Sequence, residues 1–132
     1  MTTIFSRIIN GEIPATFVHR DARCVVFMSI NPLAYGHVLV VPVDEVDHWV
    51  DLPDDNVAHL FAIAHRIGRA QKTAFSCERV GVIIAGYEVP HTHIHVIPTN
   101  HMGEMSFANA AIVADAAELT TAAAAIKSAM RD

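Results

Sequence analysis

His91, His93 and His95 alternate with Thr92 and Ile94, and the run continues into Val96-Ile97-Pro98. The β-branched residues favour extended backbone, so His91 to Pro98 reads as a β-strand. Strand side chains repeat every two residues, which sends all three imidazoles to one face. Two chemistries use imidazoles crowded in this way: metal ligation, and histidine acting on a phosphoryl group. With nine histidines in 132 residues, the same spacing could also arise as a structural or surface run. The flanks argue against that. Gly86-Tyr87-Glu88-Val89-Pro90 leads in as a Gly- and Pro-bounded loop, and Pro98 closes the strand.

Several elements must hold these histidines. Pro32-Leu33-Ala34-Tyr35-Gly36 is turn chemistry that delivers His37 to the entry of an apolar strand, His37 to Val41. Arg79 to Ala85 forms a strand that should pair with the triad strand as a hairpin carrying the site. Thr16 to His19 and Cys24 to Met28 read as a second hairpin about the polar turn Arg20 to Arg23. Ile4 to Ile9 can form a short helix ended by Asn10-Gly11. Acidic and capping residues at 51–56, followed by Val57, Leu60, Phe61, Ala64, Ile67, Gly68 and Gln71 at helical spacing, predict the main helix over 54–75. Thr99 to Ala111 has no clear period and reads as a loop, whereas the Ala-rich stretch Asp115 to Met130 predicts a helix. His19 reads as an ordinary strand-edge residue, and His59 and His65 as solvated positions of the main helix. His48 and Trp49 could line the site or pack the loop. No repeat or linker interrupts the chain. The expectation is one α+β domain over residues 1–132 with an antiparallel sheet.

Together these segments resemble the histidine-triad (HIT) family, whose signature is His-φ-His-φ-His-φ-φ with φ apolar. Thr92 stands at the first φ, and Ile94, Val96 and Ile97 fit. The opening Ile4-Phe5-Ser6-Arg7-Ile8-Ile9-Asn10-Gly11-Glu12-Ile13-Pro14 is similar to that of the family's nucleoside-phosphoramidase, or Hint-type, branch. The resemblance covers roughly residues 4 to 98. It implies a HIT-like fold: a five-stranded antiparallel sheet with one long helix and a C-terminal helix.

The same resemblance implies roles. His93, the middle triad position, would attack an α-phosphorus and form a nucleotidyl-histidine, which water hydrolyses. Its attacking nitrogen must be unprotonated, so the other ring nitrogen must hold the proton. His95 would bond the phosphate oxygens, and His37 would lie near the leaving group. His91 would orient the array through backbone or His37 contacts. Transferase relatives carry Gln at the position of His95, so the imidazole here favours hydrolysis to a nucleoside monophosphate. In Met28-Ser29-Ile30-Asn31-Pro32, Ser29 stands where the family commonly has an Asp that grips the ribose, and Ile30 follows it in the nucleotide pocket. Glu88, with Val89, takes a place where relatives often present Ser, Thr or Gln near the phosphate. A carboxylate there repels phosphate unless it bonds a histidine or the leaving amine. Many relatives hold a structural zinc with Cys-x-x-Cys near the start, but those positions read Thr3-Ile4-Phe5-Ser6, so that zinc is not expected.

The implied ligand is a purine nucleotide or nucleoside phosphoramidate, cleaved at a P–N or phosphoanhydride bond without cofactor or metal. Two other readings compete. One is a metal enzyme with zinc or iron on His91, His93 and His95 or His37. The other is a non-catalytic nucleotide-binding or interaction module of the same fold.

Composition bounds the rest. A net charge of −5 without any cluster of Lys or Arg disfavours a nucleic-acid groove. No apolar run approaches the roughly eighteen residues that span a bilayer, and the start lacks a basic-then-apolar leader, so a cytoplasmic protein without membrane partners is expected. Apolar residues make up 52% of the chain and mean hydropathy is +0.34, an excess that a homodimer would cover. Cys24, within Cys24-Val25-Val26-Phe27, reads as a buried free thiol.

Overall fold

The computed structural model of the chain describes residues 2–111 and 113–131. A short helix α1 (Ile4–Ile9) precedes strands β1 (Phe17–Arg20), β2 (Cys24–Met28) and β3 (Val38–Pro42). The long helix α2 (Asp54–Ala74) then leads to β4 (Arg79–Ile83) and β5 (Ile94–Thr99), and α3 (Ala116–Met130) follows two short 3-10 turns. The five strands lie in the order β1-β2-β3-β5-β4, and every neighbouring pair is antiparallel. β5 therefore sits between β3 and β4, one strand in from the β4 edge of the sheet.

The two faces of the sheet are packed differently. Cys24, Val26, Met28, Val38, Val40, Ile94 and Val96 point to one side. There they meet Leu60, Ile63, Ala64 and Ile67 of α2 and Ala122, Ala123 and Ile126 of α3. The alternate residues Val25, Phe27, Leu39 and Val41 point to the other side, where the short α1 covers them with Phe5 and Ile8 and the loop residues Ile13, Ala15 and Val89 pack at the margin. Burying a side chain such as Ile67 or Ile126 contributes roughly 1.5–3 kcal/mol, so the helix-covered face dominates stability. The thinner cover on the second face leaves a groove. His95, opposite Leu39 in the β3–β5 register, opens into that groove rather than into the helical core.

α2 also fixes the approach to His37. Gln71 is fully buried, and its Nε2 donates to the carbonyls of Gly36 and Val96, each at 3.0 Å. Gly36 has φ +90°, and a Cβ there would stand 2.5 Å from a ring carbon of Phe75, so only glycine makes this turn.

The triad segment differs from the sequence expectation. β5 begins at Ile94, so His91, Thr92 and His93 lie outside the ladder instead of opening the strand. The reason is local. The Thr92 N–H and hydroxyl both bond the Val46 carbonyl, at 2.7 and 2.8 Å, and the His91 N–H bonds Val89, so this stretch is held by loops rather than by strands. Likewise β4 ends at Ile83 rather than Ala85, and β3 starts at Val38 rather than His37. The other expected elements appear within one or two residues of their expected bounds. No helix among the described residues is long and apolar enough to cross a membrane.

Candidate active site

Backbone groups fix the tautomer of every histidine in the site, because a carbonyl can only accept and an amide N–H can only donate. The Leu33 N–H donates to His37 Nδ1 at 3.0 Å, so the His37 proton is on Nε2. His37 Nε2–H then donates to His95 Nδ1, also at 3.0 Å, which leaves the His95 proton on Nε2, facing the groove. His93 is set the opposite way. Its Nδ1–H donates to the His91 carbonyl at 2.7 Å, which frees Nε2 as the basic nitrogen. His91 itself donates Nε2–H to the Pro42 carbonyl at 2.8 Å and accepts from the Thr3 hydroxyl at Nδ1, at 2.7 Å. One imidazole thus turns its basic nitrogen toward the groove while its neighbour, with ring centroids 4.9 Å apart, turns an N–H.

Electrostatics keeps the supporting rings neutral. Burial, then repulsion from His95 and His93, pushes His37 down to about 3. Burial likewise lowers His91 and His95. Phe5 packs edge-on against His91 and His93, and Phe107 packs against His95, which restricts ring rotation.

Glu88 closes the array. Its Oε1 lies 2.8 Å from His93 Nε2 and 3.1 Å from His95 Nε2, so the carboxylate stands where both groove-facing nitrogens converge. Burial works to raise Glu88, yet the hydrogen bonds from His93 and His95 outweigh it and hold the carboxyl below its ordinary value. An ionised carboxylate only accepts, so a proton must lie between Glu88 and His93 Nε2, and in this arrangement the basic nitrogen is capped. The same three groups also have ligand atoms within 4.8 Å of one another and could hold a metal ion.

A cavity of about 320 Å³ opens over these groups. His37, His93, His95, Ser29, Ile30, Glu88 and Val89 all line it, together with an apolar wall that includes Phe5, Ile8, Phe27 and Leu39. His91 does not reach the cavity. It lies behind His93 and touches Pro42 and Thr3; of the two expected routes, backbone or His37, its contacts run through backbone, and the imidazole partner of His37 is His95. Ser29 is buried, and its Oγ accepts from the Asn31 N–H, which leaves the hydroxyl proton to donate. Sequence reasoning missed Phe107, which sits in the aperiodic stretch after β5. It also missed Thr3, Ser6 and Glu45 as support for His91: Glu45 accepts from the Ser6 hydroxyl at 2.7 Å and from the Thr3 N–H at 2.8 Å. The signal was present in the polar pair Thr3 and Ser6 at the head of α1.

A HIT domain profile matches residues 10–102, a span that includes all five strands, α2 and the four clustered histidines. The chain belongs to the HIT family. This HIT protein is 36% identical over 99 residues to an uncharacterized HIT-like protein of Methanocaldococcus jannaschii, covering 72% of this chain and 77% of the relative. It is 33% identical over 96 residues to an adenosine 5′-monophosphoramidase of Saccharomyces cerevisiae, covering 72% of this chain and 61% of that protein. In structure it is similar to a Hit-like protein involved in cell-cycle regulation from Bartonella henselae, with a TM-score of 0.86 and 28% identity over 97% of this chain and 96% of that one. The α+β HIT-like fold therefore extends through α3, beyond the segment that carries motifs.

Proposed function

We propose that this HIT protein is a nucleotide-binding hydrolase of the Hint type, cleaving a P–N or phosphoanhydride bond at an α-phosphorus and releasing a nucleoside monophosphate. The opposed tautomers of His93 and His95 carry this reading. His93 Nε2 is the nucleophile, and His95 Nε2–H donates to a non-bridging phosphate oxygen. His37 and His91 are positioning residues, each holding one of those tautomers from behind.

The leaving group needs a proton that the histidine chain cannot supply. A neutral His95 giving up Nε2–H would draw on His37, which is backed only by an amide donor, and an imidazolate would result. Glu88 can supply it. As substrate enters, the proton shared with His93 Nε2 passes to the Glu88 carboxylate, which becomes a neutral acid that no longer repels phosphate. His93 then attacks phosphorus, the P–N bond breaks, and the departing amine takes the proton from Glu88. In the second step Glu88 accepts a proton from water as the water attacks the nucleotidyl-His93, and the monophosphate leaves. The apolar wall of the cavity suits a purine base, and Ser29 with Ile30 borders the sugar.

A binding module without turnover is the second reading, favoured by the cap that Glu88 places on His93. A panel of nucleoside phosphoramidates and dinucleoside polyphosphates, assayed for monophosphate release and binding in parallel, separates the two. Release supports the hydrolase; binding of every compound without release supports the module.

A homodimer fits the remaining apolar surface. Phe61, Ala64 and Gly68 of α2 and Val80 and Val82 of the edge strand β4 line an open groove of about 380 Å³. Light scattering at micromolar concentration should give twice the 14.4 kDa chain mass.

A further inference from the structure

On the opposite, helix-covered side of the sheet, a second set of side chains converges on one oxygen atom. Asp21 lies in the β1–β2 turn, where its Oδ1 accepts from the backbone N–H groups of Arg23 and Cys24, each at 2.8 Å. That anchors the carboxylate and aims Oδ2 at three other groups. His19 Nε2 lies 2.7 Å from Oδ2, His59 Nε2 of α2 lies 2.9 Å away, and Cys24 Sγ lies 3.6 Å away. The nearby guanidinium of Arg23 is turned away, paired with Asp55 at 3.1 Å.

We propose that His19, Asp21, Cys24 and His59 form a binding site for a divalent transition-metal ion of the zinc class, separate from the triad. Two imidazoles, a thiolate and a carboxylate are the donor set that a borderline-soft, tetrahedral ion selects. With bonds of about 2.0–2.3 Å, the corners of such a tetrahedron lie roughly 3.3–3.7 Å apart. The ligand atoms of His19, Asp21 and Cys24 all lie within 4.8 Å of one another, and the Cys24–Asp21 separation already matches. His59, held on Asp21 Oδ2, is the outlying donor, so the two imidazoles must shift to close around an ion. Their side chains are 21% and 27% exposed, so they have room to do so. Cys24 forms the buried floor, and the ion enters between the rings. Both imidazoles bind as neutral donors through Nε2, with the ring proton on Nδ1, and the thiol releases its proton to solvent. Because binding releases the thiol proton, affinity rises with pH. The bound ion would clamp the β1–β2 hairpin to α2.

The full chain is titrated with cobalt(II) and zinc(II) alone. Wild type should take up cobalt with a thiolate-to-cobalt charge-transfer band and tetrahedral d–d bands. His93→Gln, which removes the triad cluster as a ligand set, should keep both. Cys24→Ser should lose the charge-transfer band and retain weaker binding. His59→Gln, at a partly exposed helix position, should weaken cobalt and zinc at least tenfold and shrink the zinc-dependent rise in Tm. The proposal is overturned if wild type gives no thiolate band, if His59→Gln binds as wild type does, or if His93→Gln alone removes the metal.

Discussion

Two carboxylates in this molecule each hold two imidazoles on a single oxygen, and they are built in opposite ways. At the triad the rings are rigid. His93 and His95 are buried, tied to backbone or to a backbone-held His37, and wedged by Phe5 and Phe107, whereas the Glu88 side chain sits on a loop and is 44% exposed. At the hairpin the carboxylate is rigid. Asp21 is pinned by two backbone N–H groups, and the rings of His19 and His59 are the parts with room to turn. Fixed imidazoles with a movable acid suit chemistry, in which the nucleophile must stay aimed while a proton is carried in and out. A fixed carboxylate with adjustable imidazoles suits a cage that closes on an ion.

The contrast breaks most sharply at His93. His93→Ala should abolish turnover while nucleotide affinity, measured by calorimetry, stays within a few-fold of wild type; wild-type turnover in this variant would remove the nucleophile. Glu88→Gln comes next. It keeps shape and a hydrogen bond but cannot carry the proton, so steady-state hydrolysis of alkyl phosphoramidates should fall by roughly a hundred- to ten-thousand-fold. The first step should fall far less when the leaving group departs without a proton. Equal first-step losses for both substrate types would make Glu88 a structural partner only.

A smaller effect is expected at Ser29. Hydrogen bonds from ribose hydroxyls to a carboxylate are worth roughly 1.5–3 kcal/mol each, so Ser29→Asp should tighten adenosine monophosphate by about tenfold or more and sharpen discrimination against its 2′-deoxy analogue. Calorimetry with both ligands checks this, and unchanged affinities would assign the sugar to another residue.

The smallest effect tests the hairpin. Burial works to raise Asp21, but hydrogen bonds from His19, from the Arg23 and Cys24 backbone and from His59 outweigh it and hold the carboxyl well below its ordinary value. A carboxyl lowered on folding stabilises the fold above its unfolded pKa, near 4, and loses that contribution as pH falls toward the folded value. Wild type should therefore lose Tm progressively below about pH 4, and Asp21→Asn should start lower and fall less steeply. Parallel curves would mean that the ion pairs contribute nothing.

Much of this was legible in the chain, and the limits follow from physics. The triad, His37, the strands and both long helices announce themselves because period and turn chemistry are local properties. The extent of the triad strand was not legible, since whether His91 and Thr92 join a ladder depends on Val46, far away in sequence and brought close only by the fold. The meeting of Glu88 with His93 and His95 depends on how the 84–93 loop folds back, which no periodicity encodes. His59 reads as a solvated helix position and His19 as a strand edge, as each would be if β1 and α2 did not meet over Asp21. Cys24 was expected as a buried free thiol, and it is one; its neighbours were the hidden part.

The most direct test of the central claim is to trap the first covalent species. Glu88→Gln is mixed with a nucleotide substrate whose leaving group needs no proton, quenched within one turnover, and digested for peptide mass spectrometry. The account predicts one nucleotidyl group on His93, bound through nitrogen and accumulating because the variant lacks the base that activates water. An adduct on another residue, or monophosphate release with no covalent nucleotide at any time point, would contradict it.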